Sequence, residues 1–310
     1  MTHDTHGHDD REHAPGHHHG HDHKGGHHHA THLDWAAMAP LLERQADIHS
    51  PLYTRAAHWL GELVPAVGVR RALDVGSGPG VISVLLAEAF PLAEVVAVDA
   101  SPELLERALG RAEAKGLAGR VTTLRAELPA DFDALGEADL IWAGNSTHHI
   151  GDQRAALASF AGLLRPGGLI ALVEGGLYAR HLPANIGFGR PGLETRIEAA
   201  HADWFAQMRA ELPDSKDEAD DWRGLLAAAG LTPSGTRTFL TDVPAPVPAL
   251  HREQIVAHFT RLREPLSERL DAEDRASFDR LLDPADPLSV HHRTDLFMLS
   301  ASTVHTARKG

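Results

Sequence analysis

A glycine-rich turn between an apolar strand and a helix constrains the fold of this chain more than any other feature. It lies in the segment Ala72-Leu73-Asp74-Val75-Gly76-Ser77-Gly78-Pro79-Gly80. A second apolar run follows and ends at Asp99, nineteen residues beyond Gly80. Glycines at such a turn let the backbone approach a ligand closely, and a carboxylate after the next strand suits ribose hydroxyls. The pattern predicts a parallel α/β sheet with a nucleotide-type ligand at the turn.

The spacing of the glycines narrows the choice of ligand. A dinucleotide-binding turn carries glycines at its first, third and sixth positions, whereas here Val81 stands at the sixth and Gly80 comes one residue early. Asp74, just before the turn, would repel a pyrophosphate and suits a cationic ligand. The segment resembles the acid-x-Gly-x-Gly-x-Gly pattern of class I S-adenosylmethionine-dependent methyltransferases. A glycine-rich turn in an unrelated α/β protein is the alternative.

This resemblance extends over most of residues 70–175. Glu127 follows the third predicted strand, where members of the class place an acid near the adenine amino group. The segment Asn145-Ser146-Thr147-His148-His149-Ile150 resembles the Leu-His-His segment of ubiquinone-biosynthesis-type and related small-molecule methyltransferases, although Thr147 stands where leucine is usual. Residues 163–168 resemble the Leu-Lys-Pro-Gly-Gly turn of the same enzymes. The class therefore implies S-adenosyl-L-methionine as the cofactor.

The resemblance also implies which residues bind the donor and the acceptor. Methyl transfer from a sulfonium needs alignment of the acceptor, and a base only where the acceptor must lose a proton. His148 is the candidate base or orienting group on the acceptor side, and a structural role for the loop is its alternative. His149, Glu174, Tyr178 and His181 are weaker candidates. The implied donor-binding residues are Asp74, Gly76, Ser77, Gly78, Gly80, Asp99, Ala100, Glu127 and Asn145.

The alternation of short apolar runs with helical patterns predicts the fold class. It is an α/β fold with a doubly wound, seven-stranded, mostly parallel sheet, an antiparallel last strand and helical lid insertions. Two helices are expected between 33 and 64, and Ser101, Pro102 and Gly116 predict the ends of a helix after Asp99. The predicted strands are 72–75, 94–99, 121–125, 138–143, 169–174, 236–243 and 291–304.

The same patterns divide the chain into five parts. Residues 1–32 form a disordered histidine-rich tail, because they are almost devoid of apolar side chains. Residues 33–68 form an N-terminal helical lid, and 69–176 form the Rossmann-like core that binds the donor. Residues 177–220 form a helical insertion over the acceptor site. Residues 221–310 complete the core and include a second helical insertion at about 247–283.

The tail holds thirteen of the twenty-four histidines of the chain. Clustered neutral imidazoles bind nickel, zinc or copper, so the tail is a candidate nickel or zinc site, although incidental metal binding and an expression tag are alternatives. No metal is expected in the core. The candidate ligands in the tail are His17, His18, His19, His21, His27, His28 and His29.

Composition excludes several classes of protein. The chain has no cysteine, so disulfides, thiolate metal sites and cysteine nucleophiles are excluded. No apolar run reaches membrane-spanning length, so we expect no membrane partner and a cytoplasmic location. The formal net charge of −14 repels phosphate backbones, and the Asn/Asp-Pro-Pro-Tyr/Phe segment of amino-methylating nucleic-acid enzymes is missing. Nucleic acid is therefore not an expected partner.

These observations predict a cytoplasmic enzyme, monomeric or homodimeric, that moves a methyl group from S-adenosyl-L-methionine to O, N or C of a small-molecule acceptor. The first alternative is a metal-storage or metal-delivery protein in which the tail is the working part and the domain binds a nucleoside. The second is an enzyme that binds the donor and uses its sulfonium charge without transferring the methyl group. Fold alone does not choose among acceptors.

Overall fold

A computed structural model describes residues 35–65 and 68–310 of the chain. Helices and strands alternate through its first half, and the second half adds helices before each of the last two strands. Short 3₁₀ turns lie at Phe132–Ala134 and Thr147–His149. In chain order the elements are α1 (Trp35–Leu63), β1 (Arg71–Val75), α2 (Val81–Ala89), β2 (Glu94–Asp99), α3 (Pro102–Ala114), β3 (Val121–Arg125), β4 (Ala138–Gly144), α4 (Gln153–Leu163), β5 (Leu164–Arg180), α5 (Leu193–Ala210), α6 (Trp222–Ala228), β6 (Thr232–Val243), α7 (Ala249–Leu266), α8 (Ala272–Leu282) and β7 (Met298–Arg308).

The seven strands form one sheet in the order β3-β2-β1-β4-β5-β7-β6. Strands β1 to β5 pair in parallel, and β7 runs antiparallel to both β5 and β6. The predicted fold class is therefore confirmed, including the antiparallel last strand. The strand order reverses between β1 and β4, and ligands of doubly wound sheets bind at the carboxyl ends of strands at such a reversal.

Both faces of the sheet are covered by helices, which explains why its central strands are apolar runs rather than alternating patterns. On one face, α4 and α6 bury residues such as Leu157, Phe160 and Leu225 against the strands. On the other, α1 and α2 bury residues such as Leu60 and Leu86. Each large apolar side chain removed from water in this way contributes about 1.5–3 kcal/mol.

The ends of α3 follow from its sequence as predicted. Ser101 accepts a hydrogen bond from the backbone N–H of Leu104 at 3.3 Å, and Pro102 occupies the first turn. Gly116, just beyond the helix, has a φ of +70°. The serine cap satisfies one of the free amides at the helix start, and glycine adopts the left-handed conformation at the helix end without steric cost.

The prediction of two helices before β1 is wrong, because residues 35–63 form one helix that contains Pro40 and Pro51. Proline removes a helical hydrogen bond, so Pro51 disfavours a continuous helix locally. However, Ile48 and Leu52 lie on either side of Pro51 and are both buried, so tertiary packing continues through the proline. Burial of this stripe outweighs the local preference for a break.

The predicted ends of β5 and β7 are also wrong. β5 extends to Arg180 rather than ending at Glu174, because β7 pairs with it beyond a bulge at Gly175 and Gly176. β7 begins at Met298 rather than at residue 291. Arg293, which lies in the missing part, forms an ion pair with Asp295 at 2.7 Å and is held in a loop instead.

A third apolar cluster joins the two helical insertions. It contains side chains of α5, α7 and α8, including Ile197, Phe259 and Phe278, together with Ile48 of α1. α5 lies within the predicted insertion at 177–220, α7 and α8 lie within the one predicted at about 247–283, and these helices pack on one another. Among the described residues, no helix combines the length and the hydropathy that a membrane span requires.

Candidate functional site

The glycine turn leaves the carboxyl end of β1 and is held against β2. The backbone N–H groups of Gly76 and Ser77 both donate to the carbonyl of Val98, at 2.9 Å each. Gly76, Gly78 and Gly80 have φ values of +68°, +52° and +76°, which side chains rarely tolerate. The local path of the turn therefore requires all three glycines.

The three glycines differ in what surrounds them. A Cβ atom at Gly80 would lie 2.5 Å from Cβ of Ala108 on α3, and one at Gly76 would lie 2.7 Å from Cβ of Ser146 after β4. A Cβ atom at Gly78 would meet no heavy atom within 4 Å. Gly76 and Gly80 thus permit close packing of neighbouring elements, whereas Gly78 borders open space.

Ser77 lies between them with a polar atom that lacks a partner. Its side chain is buried, and its Oγ forms no hydrogen bond with any described residue. Buried hydroxyls are nearly always hydrogen-bonded, and an unsatisfied one costs about 1–3 kcal/mol. The orphaned hydroxyl beside the open space at Gly78 fits a turn that binds a polar ligand.

Asp99, at the end of β2, holds the turn from the side. Its Oδ2 accepts from the amide of Gly78 at 2.9 Å, and its Oδ1 accepts from the amide of Ser101 at 3.0 Å. Burial raises the pKa of Asp99, and these hydrogen bonds act in the opposite direction. Each carboxylate oxygen keeps a second lone pair, so both can also accept from ligand hydroxyls.

Asp74 lies beneath the turn, in β1, and is 1% exposed. Its Oδ2 accepts from the hydroxyl of Ser83 on α2 at 2.6 Å. The pKa of Asp74 is raised to about 7, mainly by burial and also by the nearby charge of Asp99, while the hydrogen bond from Ser83 acts in the opposite direction. Asp74 is therefore a buried acid whose charge depends on its neighbours, and a nearby cation would favour its ionised form.

Two further predicted donor residues lie on loops at the same edge of the sheet. Ala100 is exposed, and its carbonyl accepts from Arg125 Nε at 3.3 Å. Glu127 is exposed in the loop after β3, where its amide donates to Asp131 Oδ2 at 2.8 Å. The amide of Ala126 donates to the carbonyl of Asp99, which joins this loop to the end of β2.

Asn145 follows β4 in the left-handed region, with a φ of +52°. Its amide donates to the carbonyl of Val173 at 3.0 Å, and its Nδ2 lies 3.5 Å from the hydroxyl of Tyr53 on α1. The Tyr53 ring packs edge-on against Trp142, with centroids 6.1 Å apart. α1 therefore contributes a polar group to this edge of the sheet.

Sequence reasoning does not select Tyr53 as a site residue, because packing in the core accounts for a tyrosine at this position. Helical spacing placed it with Ala56 and Leu60, and that spacing says nothing about its hydroxyl. The one available signal is general: a tyrosine on a buried helix face needs a partner for its O–H group. Its partner, Asn145, lies ninety-two residues away in sequence.

His148 and Glu174 form the main polar pair of the site. Nδ1 of His148 lies 2.9 Å from Oε2 of Glu174, whose other oxygen accepts from the amides of Thr147 and His148 at 3.1 and 3.3 Å. Glu174 is buried, and the His148 side chain is 21% exposed. Nε2 of His148 has no hydrogen-bond partner among the described residues. The pair thus presents one free imidazole nitrogen.

Helix α5 covers this pair. Phe205 packs against the ring of His148 with centroids 5.4 Å apart, and the Arg209 guanidinium donates to the backbone carbonyl of His148. His201 on the same helix packs against Tyr178, which follows Glu174 on β5 and is exposed. α5, which belongs to the 177–220 segment, therefore lies beside His148.

The structure does not bring His181 into this group. It is buried beside α7, its Nδ1 lies 3.0 Å from Glu194 Oε1, and its ring packs on His258 and Phe259. His149 is exposed with its ring centroid 4.3 Å from that of His148. Of the predicted acceptor-side candidates, His148 and Glu174 are in direct contact and Tyr178 lies nearby.

Residues 35–65 and 68–310 contain no group of three or more histidine, aspartate or glutamate side chains that could hold a metal ion. The predicted tail ligands, His17, His18, His19, His21, His27, His28 and His29, lie outside the described residues. Nickel or zinc binding by the tail therefore stays a prediction.

Comparison with known proteins places the glycine turn in a defined domain. Residues 72–168 match the family described as a methyltransferase domain. The chain is 36% identical over 137 residues to trans-aconitate 2-methyltransferase from Methylobacterium radiotolerans. The matching region covers 41% of this chain and 49% of that protein. It is 39% identical over 118 residues to an uncharacterized methyltransferase from Mycobacterium tuberculosis, covering 37% of this chain and 54% of that protein.

A more distant relative is the ubiquinone biosynthesis O-methyltransferase of Bordetella avium, 30% identical over 115 residues, with 36% of this chain and 45% of that protein covered. The chain thus spans about half the length of the curated relatives it matches, and the specific resemblance to ubiquinone-biosynthesis enzymes is minor. A solved O-methyltransferase family 2 protein from Planctomyces limnophilus is 18% identical with a TM-score of 0.46, over 66% of this chain and 59% of that chain.

The family match, the named relatives and the sheet topology agree on one class. This chain carries a class I methyltransferase domain, a class that uses S-adenosylmethionine in general. None of the relatives named above is a metal-storage or metal-delivery protein, so that alternative finds no support in them.

Proposed function

We propose that the protein transfers a methyl group from S-adenosylmethionine to a small-molecule acceptor. One observation carries the proposal: the loop that holds His148 packs directly on the glycine turn. Ser146 Oγ lies 3.3 Å from the carbonyl of Val75, and its Cβ occupies the space that a side chain at Gly76 would need. A donor held at the turn and an acceptor held at His148 would thus be neighbours.

The donor half of the proposal assigns roles to the predicted residues. Asp99 would accept from the ribose hydroxyls, the backbone at Gly78 and the free hydroxyl of Ser77 would contact the donor, and Glu127 would approach the adenine. The bound donor supplies a methyl group that its sulfonium charge already activates. Asp74, whose pKa burial raises to about 7, would be stabilised in its charged form by that cation.

The acceptor half rests on the orientation of His148. When Nδ1–H donates to the buried carboxylate of Glu174, the lone pair of the imidazole lies on Nε2. A carboxylate in this position fixes the tautomer and the ring orientation, as in other histidine bases. His148 would then accept a proton from an acceptor atom that loses one as it is methylated. Among O, N and C acceptors, this favours a hydroxyl group.

We expect a small-molecule acceptor, and the first reason is electrostatic. With a formal net charge of −14, the chain repels the phosphate backbone of nucleic acids. The half-buried side chain of Phe205 on α5 offers apolar surface beside His148 instead. We therefore expect a compact organic acceptor rather than a polymer.

Two measurements test this function. Isothermal titration with S-adenosylmethionine should show one binding site, and Asp99→Ala should weaken it while the protein stays folded. Incubation of a metabolite pool with donor labelled in its methyl group should give a labelled product together with S-adenosylhomocysteine. Binding without S-adenosylhomocysteine would favour the enzyme that uses the sulfonium without methyl transfer, and no binding by the folded protein would refute the proposal.

A further inference from the structure

A cavity lies between α1 and α7, and the glycine turn does not line it. Its volume is about 490 Å³, which is within the range of small-molecule sites. Leu41 and Arg44 of α1 form one wall. Three turns of α7, from Arg252 to Arg261, form the other. None of the residues lining this cavity belongs to the donor turn or to the His148–Glu174 pair.

The cavity concentrates positive charge in an acidic chain. Arg44, Arg252 and Arg261 line it, against the single carboxylate of Glu253. Arg44 NH1 lies 3.5 Å from Glu253 Oε2, and Arg252 NH1 donates to the carbonyl of Val290 at 2.8 Å. These contacts hold two of the guanidinium groups in place and leave most of their N–H donors free.

Arg261 differs from the other two arginines. In the part of the chain that the structure describes, it forms no hydrogen bond and no ion pair. Its positive charge contributes to lowering the pKa values of His201 and His258, whose shifts come first from burial. Neutral imidazoles cannot balance the guanidinium, so its charge faces the cavity without a counter-ion from the described residues.

The remaining lining limits what could balance that charge. Leu41, Val256 and Ala257 give the cavity apolar walls, Thr260 adds a hydroxyl next to Arg261 in the chain, and His291 adds an imidazole. A planar guanidinium matches a carboxylate through two parallel hydrogen bonds, and the apolar walls suit a hydrocarbon body. Inorganic phosphate would meet the charge but would leave the apolar walls uncovered.

We propose that this cavity binds a small organic carboxylate, with its charged end on Arg261 and its hydrocarbon part between α1 and α7. The site is separate from the donor turn, so its occupancy does not depend on methyl transfer. Hexanoate is a suitable probe because it combines one carboxylate with a short alkyl chain. Hexanamide has the same shape without the charge, and phosphate has charge without the chain.

Titration of the full chain by isothermal calorimetry or ligand-observed NMR tests the proposal without any donor present. We expect saturable binding of hexanoate at one site, and binding of hexanamide and of phosphate that is weaker by about tenfold or more, since one charge-assisted hydrogen bond is worth about 1.5–3 kcal/mol. Arg261→Gln should weaken hexanoate binding to a similar extent. Because Arg261 is exposed and forms no hydrogen bond or ion pair with the described residues, its replacement should leave the unfolding temperature unchanged.

Arg263→Gln is the matched control, because Arg263 lies on the same helix and is paired with Asp279 at 2.7 Å outside the cavity. It should bind hexanoate like the wild type. Equal binding of hexanoate and hexanamide, equal loss in both arginine variants, or full binding by a folded Arg261→Gln protein would each overturn the proposal. Titration of the same samples with S-adenosylhomocysteine reports separately on the donor site.

Discussion

The carboxylate of Asp99 and the amide of Gly78 are joined by a hydrogen bond of 2.9 Å across twenty-one residues of sequence. The other oxygen of the same carboxylate accepts from Ser101 at the start of α3. One side chain therefore links the end of β2, the glycine turn and the next helix. The group proposed to bind the ribose also fixes the turn that is proposed to bind the donor.

Asp99→Ala should therefore lower both stability and donor affinity. We expect a loss of about 1–3 kcal/mol in the free energy of unfolding, because two partly buried amides lose their acceptor. The dissociation constant for S-adenosylhomocysteine should rise by about tenfold or more, from loss of hydrogen bonds to a charged group. Urea denaturation and calorimetric titration measure the two effects. Unchanged affinity in a folded variant would remove Asp99 from the donor site.

Gly78→Ala and Gly80→Ala should show which glycine matters for donor binding and which for packing against α3. Both residues have positive φ, so either alanine costs about 1–2 kcal/mol in the left-handed region. At Gly80 the new Cβ would also lie 2.5 Å from Ala108, so the loss of stability should be clearly larger there. At Gly78 the Cβ enters open space, so donor affinity should fall most. A donor affinity unaffected by Gly78→Ala would place the ligand elsewhere.

His148→Gln should lower the rate of methyl transfer by about 10²–10⁴-fold if His148 is the base, since positioned general bases contribute this much. Donor affinity should be unchanged, because the residue is assigned to the acceptor side. The measurement is S-adenosylhomocysteine formation under saturating donor. A variant as active as the wild type would leave the pair with a structural role alone.

Glu174→Gln tests whether Glu174 positions His148. A glutamine oxygen can still accept from the Thr147 and His148 amides, while its NH₂ group would face Nδ1 of the imidazole. Nδ1 would then have to accept, so the proton would move to Nε2, the wrong tautomer for a base. We expect a lower maximal rate, a changed pH profile and little change in the unfolding free energy. A wild-type pH profile would contradict the positioning role.

Asp74→Asn should change how stability depends on pH. Burial raises the folded pKa of Asp74 from 3.8 to about 7, so between these pH values the folded state holds a proton that the unfolded state has released. Stability from this group is therefore present at low pH and is lost as pH rises toward 7. The variant should gain stability relative to the wild type between pH 4 and 7, measured by urea denaturation at several pH values. A constant difference would show that Asp74 titrates normally.

Local sequence accounts for much of the sheet and one helix end. β1 to β4 lie where short apolar runs predicted them. β1, β2 and β4 are largely buried, as strands covered on both faces are, whereas β3 lies at the edge of the sheet and buries only Val121. Ser101 and Gly116 predicted the ends of α3 by capping chemistry alone. The ends of β5 and β7 were misplaced because their pairing partners are distant in sequence. Strand pairing, rather than residue preference, sets those limits.

For the candidate site too, the sequence indicated individual residues, but it did not indicate how they are arranged. The sequence indicated Asp99, His148 and Glu174 as separate candidates, each from its place after a strand. Their arrangement depends on the register of neighbouring strands: β4 and β5 pair with Gly144 opposite Val173, which puts Glu174 beside the loop that carries His148. Tyr53 reaches Asn145 only because α1 continues through Pro51.

The sequence by itself determined the class of fold and the glycine turn, because backbone conformation, capping and apolar periodicity act within a few residues. It also excluded cysteine chemistry outright. Only the tertiary structure decided which polar groups meet: Asp99 with Gly78, His148 with Glu174, and three arginines around one cavity. Those contacts join residues far apart in the chain, and their geometry follows from strand order and helix packing rather than from local composition.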